Sequence, residues 1–302
     1  MPTPKEILLD FILPACLTGV AFLIGYWPRR NGRWIGAIAF GAGFALADCQ
    51  IAGAPRWPPG TGDAAFWIVW FTAPIALLGW LDALLCPPNW LRTGLLYVLV
   101  RVGIALLIAP VIPKSGADAN STIWWTEIWL DCFGAAAAIF WLGLETLAER
   151  TPGTLLPILL VLTFGGAAAV LGLSDNVRSS QECAALGGLA LAGAILARPL
   201  GLAFDRGAVL AAIAPMLGMF AFAHFYSYTE PSVASIALLL VAPLLAWCGE
   251  TKIGRKLPPA ARWAVRLIPV VLALALAVLM TAHPFQQSAN SADKQSGQQY
   301  DE

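Results

Sequence analysis

Seven ionisable side chains sit inside strongly apolar stretches of sequence: Asp48, Asp82, Arg101, Glu127, Asp131, Glu145 and His224. In such a setting a carboxylate or an imidazole can take up and release a proton, and a guanidinium can hold a carboxylate. The placement is expensive. At the centre of a membrane helix each charge costs about 2.5–3.5 kcal/mol even on the mildest scale, so these groups need partners or water. Glu127 and Asp131 are four residues apart and share a helical face. Ala135, Ala138, Leu142 and Glu145 continue that stripe, which is acidic at both ends and small in the middle. A face of this kind is expected to point into a helix bundle. Asp48 lies on a comparable stripe with Ala37, Gly41, Ala45 and Ala52, whose small side chains allow close helix approach.

Depth suggests which groups meet. At about 1.5 Å of rise per residue, Arg101 lies about 12 Å from the inner end of its apolar run, and Asp131 about 12 Å from the outer end of its own. In a core of about 30 Å their backbones differ by about 6 Å in depth, so an Arg101–Asp131 pair is expected. Asp82 is the alternative partner for Arg101. Asp48, Glu127, Asp131 and His224 fall at similar depth toward the outer side, and together form the candidate solute or proton site with Arg101. The competing reading for Asp48, Asp82, Glu145 and His224 is that they simply reach the interface. One histidine among carboxylates is a weak ligand set, so no metal and no cofactor is expected.

The elements that must position these residues follow from composition. The chain has 302 residues, 59% hydrophobic and 12% charged. That charge is about half of the roughly 25% of an ordinary globular chain. Mean hydropathy is +0.72. Disorder, a soluble single domain and nucleic-acid binding are all excluded by these values. An all-α integral membrane protein remains. Ten runs approach the roughly 20 residues that a spanning helix needs: 7–26, 34–51, 64–85, 93–112, 123–147, 154–173, 183–203, 207–225, 232–248 and 267–283. The polar stretch 286–302 is expected to be a disordered tail.

The neutral total of 18 basic and 18 acidic residues hides an asymmetry. Alternate loops carry Arg29, Arg30, Arg33, Arg92, Arg150, Arg198, Arg206, Lys252, Arg255, Lys256, Arg262 and Arg266. The opposite side carries only Lys5, Arg56, Lys114, Arg178 and Lys294. The positive-inside rule then places both termini outside, across a bacterial inner membrane. A nearly constant offset relates Trp27-Pro28 to Arg198-Pro199, Ala73-Pro74 to Ala242-Pro243, and Pro87-Pro88 to Pro258-Pro259. This predicts a parallel repeat of 7–112 and 183–283 around a linking hairpin, 123–173, within one membrane domain, 1–285. Pro74, Pro215 and Pro243 fall near mid-span, where each kinks or breaks its helix. Six cysteines are scattered without a CxxC pair. Cys49 and Cys183 could meet near the outer face, although buried free thiols are the simpler expectation.

These features predict a secondary transporter or permease of a small solute, with protons as the candidate coupling ion. Its partners would be the lipid bilayer, the solute and protons. One alternative is a membrane-embedded enzyme working on lipid-linked substrates at the outer face. The absence of HExxH and of a recognisable Ser or Cys nucleophile weighs against it. The other alternative is a non-catalytic subunit of a membrane complex.

Overall fold

The computed structural model describes residues 12–26, 35–53, 66–85, 89–108, 119–151, 153–200, 207–226, 231–252 and 254–298. Among the described residues there is no strand. There are ten α-helices: α1 (Leu13–Tyr26), α2 (Ile35–Ala52), α3 (Phe66–Leu85), α4 (Asn89–Ile108), α5 (Ala119–Arg150), α6 (Leu155–Leu173), α7 (Val177–Leu200), α8 (Gly207–Tyr226), α9 (Val233–Val241) and α10 (Pro259–Gln298). A 3-10 segment, Ala242–Glu250, continues α9, and a short 3-10 turn spans Gly254–Lys256. Each helix falls on one of the ten apolar runs. Helices suit this composition because they satisfy their own backbone hydrogen bonds, which lipid cannot do.

Among the described residues six segments are long and apolar enough to cross a membrane: Leu130–Arg150, Leu155–Leu173, Val177–Ala197, Gly207–Tyr226, Val233–Glu250 and Pro259–Ala282. Shorter apolar helices cover Gly36–Ala52, Trp67–Leu81 and Thr93–Gly103. The chain is therefore a polytopic membrane protein. Its lipid-facing surface is visible as large apolar side chains left exposed, among them Leu77, Ile139, Leu191, Ile195, Leu272 and Leu279. Its interior is built from Phe40, Phe44, Trp141, Phe164 and Phe220 among aliphatic residues and alanines.

Helix α8 forms the centre. It packs on α2, α3, α4 and α5, and most of its residues are buried. Small residues make this possible. A Cβ placed on Gly79 of α3 would lie 2.7 Å from the Gly207 carbonyl oxygen, and one on Gly207 would fall on the Gly79 carbonyl. Further along the same crossing, Gly218 faces Ile68. Because the obstruction at Gly207 is backbone, Gly207→Val is expected to destabilise by about 1–3 kcal/mol, in the range of core overpacking. Thermal unfolding in detergent would register this as a lowered midpoint, whereas Gly94→Val, at an open position, should leave the midpoint unchanged.

The other packing pairs are α6 with α7, α1 with α2 and α7, α4 with α5, and α10 with α6, α9 and the 3-10 segment. Helix α8 also rests on α2 and α3, while α9 rests on α10. Pro74 and Pro215 are accommodated inside continuous helices. At Pro243 the helix instead changes type, and the C-terminal half of that span is 3-10 over nine residues. Runs longer than three or four residues are uncommon for this tighter helix. The polar stretch from Gln286, expected to lack structure, instead continues α10 as helix through Gln298. Gln, Ala and Lys are good helix formers, and extending a helix already nucleated costs far less than starting one.

Candidate functional site

Among the described residues, the charged candidate site residues fall in two clusters on different helices. The first joins α2 and α7. Asn176 Oδ1 accepts the backbone N–H of Ser179 and so caps the start of α7. Starting the helix at Val177 puts Arg178 and Glu182 one turn apart on one face, where Arg178 Nε donates to Glu182 Oε1 at 2.7 Å. Arg178 Nη2 also donates to Asp48 Oδ1 at 2.8 Å. Asp48 is 0% exposed and Glu182 1% exposed, whereas the Arg178 side chain is 28% exposed. Asp48 Oδ2 is buried and accepts no hydrogen bond among the described residues. Asp48 lies about 6 Å from the end of α2 and Glu182 about 8 Å from the start of α7. These ends are on the predicted outer side. Beside Glu182, the Cys183 thiol donates to Met219 Sδ at 3.2 Å, which ties the cluster to the central helix.

The second cluster lies along the seam of α4 and α5. Arg101 Nε is 3.0 Å from Asp131 Oδ1, and Arg101 Nη2 donates to Glu127 Oε2. Tyr97 Oη donates to Asp131 Oδ1 at 2.7 Å, and the Tyr97 ring lies over Gly134. Here the expectation of an inward-facing stripe is corrected. The Glu127 and Asp131 side chains are 50% and 55% exposed, and Ala135 is exposed too. Of the stripe, Ala138 and Glu145, toward the C-terminal end of the helix, are buried. Helix α5 has 32 residues and is about 48 Å long, well beyond a 30 Å core. Its C-terminal half is covered by the 3-10 segment, where Leu244 packs at Gly143 and Trp247 Nε1 donates to the Gly143 carbonyl. Asp131 is the second residue of the apolar segment Leu130–Arg150, and Glu127 precedes that segment. This cluster therefore stands near the edge of the apolar layer.

The structure thus brings Arg101, Glu127 and Asp131 together and puts Asp48 in a different cluster. His224 is half-buried near the C-terminal end of α8, its ring edge-on to Phe225 at 5.0 Å. The Asp82 side chain lies outside the described residues. Sequence reasoning missed Arg178 and Glu182 because it began their span at Cys183 and counted Arg178 as a loop charge. The Asn176 cap and the Arg178–Glu182 spacing were the available signals. Cys49 and Cys183 are free thiols, not a disulfide. Among the described residues no group of three His, Cys, Asp or Glu is placed to hold a metal ion. A cleft of about 120 Å³ between α5 and α9 is lined by apolar side chains such as Phe133, Ile236 and Leu240, with the Cys132 thiol.

The chain matches no protein-family model, no curated protein and no solved structure.

Proposed function

We propose that this polytopic membrane protein is a proton-coupled secondary transporter or permease of a small solute in a bacterial inner membrane, with Asp48, Arg178 and Glu182 as its proton-binding group. The observation that carries this reading is the buried pair of carboxylates facing one arginine. With both carboxylates ionised the group has a net charge of −1. One bound proton makes it neutral. Inside a low-dielectric bundle that difference is large, because an uncompensated buried charge is costly. A metal cation would need several oxygens around it, while a proton needs one. Arg178 already occupies Asp48 Oδ1 and Glu182 Oε1, and Asp48 Oδ2 is buried and accepts no hydrogen bond among the described residues.

The surroundings suit a moving proton site. Partial exposure of Arg178 gives water a route from the predicted outer side. The link from Cys183 to Met219 connects the group to α8, which carries Pro215. A shift of α7 against α2 on proton binding would pass to the central helix. The change from α-helix to 3-10 at Pro243 supplies a second place where a span can alter its geometry. The test is the transient current that pH jumps evoke from proteoliposomes on a solid-supported membrane. Wild type should give a capacitive current, and Asp48→Gln/Glu182→Gln should give none. Equal currents from both would reject the assignment.

The outward-facing Arg101–Glu127–Asp131 seam favours a second reading, a subunit that docks another membrane helix there. Polar groups are rarely left facing lipid. Ala135→Cys, on the same exposed flank, would then cross-link to a partner in native membranes. Only monomer on a non-reducing gel would count against it.

A further inference from the structure

The junction between the 3-10 segment and α10 gathers more positive charge than it balances. Glu250, buried at the end of the 3-10 segment, meets Arg262 Nη2 at 3.0 Å, Arg255 Nε at 3.5 Å and the Arg266 guanidinium. Among the described residues it is the carboxylate that all three arginines face, which leaves the group at +2. Arg262 Nε and Arg266 Nε are buried and donate to no protein group among the described residues. Two features add to the excess. Arg262 lies in the first turn of α10, where the helix dipole already presents positive potential and a cation is unfavourable. Lys252 and Lys256 flank Arg255 in the same connection. At one end of the buried network Arg266 is 8% exposed; at the other, Arg262 and Arg255 are 31% and 52% exposed. The group therefore opens from a fixed interior toward the membrane surface.

We infer that Arg255, Arg262 and Arg266, held in register by Glu250, form a binding site for a phosphate anion, and that the phosphate is the headgroup of an anionic phospholipid in the adjoining leaflet. Guanidiniums present forked donors that match phosphate oxygens. Basic pockets beside membrane helices on the positive side bind anionic headgroups. The positive-inside assignment puts this leaflet on the cytoplasmic side, where such lipids are available. The site is independent of the proton group and stands whether or not the transporter reading does.

The experiment titrates phosphatidylglycerol against the detergent-purified full chain and counts bound lipid by native mass spectrometry. Arg255→Gln/Arg262→Gln is compared with Arg29→Gln/Arg30→Gln, which removes equal charge from the same predicted side. The first double variant should weaken binding of the first lipid by about thirtyfold, and the control by far less. Arg255→Gln alone, at the most exposed position, should give about fivefold with the fold intact. Phosphatidylcholine should bind weakly to all. Competition by millimolar inorganic phosphate alone would keep the anion site and reassign its source to solution. Equal losses in the two double variants, or phosphatidylcholine binding as tightly as phosphatidylglycerol, would overturn the proposal.

Discussion

Arg178→Ala is expected to be the most destabilising single substitution among the charged residues, at about 3–5 kcal/mol, the cost of leaving buried charge without its partner. It strands two carboxylates that are almost fully buried. The loss should appear as a large drop in the fraction folded in detergent. Asp48→Asn/Arg178→Gln/Glu182→Gln should recover most of that stability, because a set of neutral amides of similar shape carries no uncompensated charge. The comparison separates two meanings of the group. If it only staples α2 to α7, the triple variant should behave as wild type in every assay. If it binds a proton, the triple variant should fold and yet give no pH-jump current. A nearly neutral Arg178→Ala would show that the arginine does not hold these carboxylates.

The second large effect is functional and should occur without loss of fold. Asp48→Asn leaves one carboxylate opposite Arg178, a neutral pair at all physiological pH values. The variant should therefore be as stable as wild type or more so, since one buried negative charge has gone. Its transport should lose all dependence on a pH gradient. Glu182→Gln should do the same, because either carboxylate completes the excess charge. Arg101→Gln is the contrasting case. Its cluster is about half exposed at the outer edge of the apolar layer, and removing it should leave gradient dependence intact. A melting curve and a gradient-driven uptake assay on the same preparations separate stability from coupling.

Much of the architecture could be read from composition and pattern, and the reasons are physical. Helices announce themselves in apolar runs because lipid demands long, uninterrupted stretches, so each of the ten helices falls on a run read from the sequence. Arg101 and Asp131 could be matched by depth alone, since an arginine far inside an apolar run has few places to go. Helix ends were harder. The start of α7 is fixed by Asn176 and not by hydropathy, and the five residues between Val177 and Cys183 contain both Arg178 and Glu182. Which side of α5 faces the bundle was not legible either. Its stripe from Glu127 to Glu145 is acidic at both ends, but the 3-10 segment covers only its C-terminal half, an arrangement that depends on tertiary packing. The same holds for Glu250. Its importance comes from three arginines that a helix-type change at Pro243 and the start of α10 bring around it.

The central claim is that protonation of the Asp48–Arg178–Glu182 group drives solute movement. Its most direct test is pH-gradient-driven accumulation of a radiolabelled panel of amino acids, sugars, nucleosides and carboxylic acids in proteoliposomes. Wild type should accumulate at least one of these solutes above empty liposomes and stop when the gradient is collapsed, and Asp48→Asn should never accumulate it. Accumulation that persists unchanged in Asp48→Asn, or wild-type vesicles that accumulate nothing across the panel, would contradict the account.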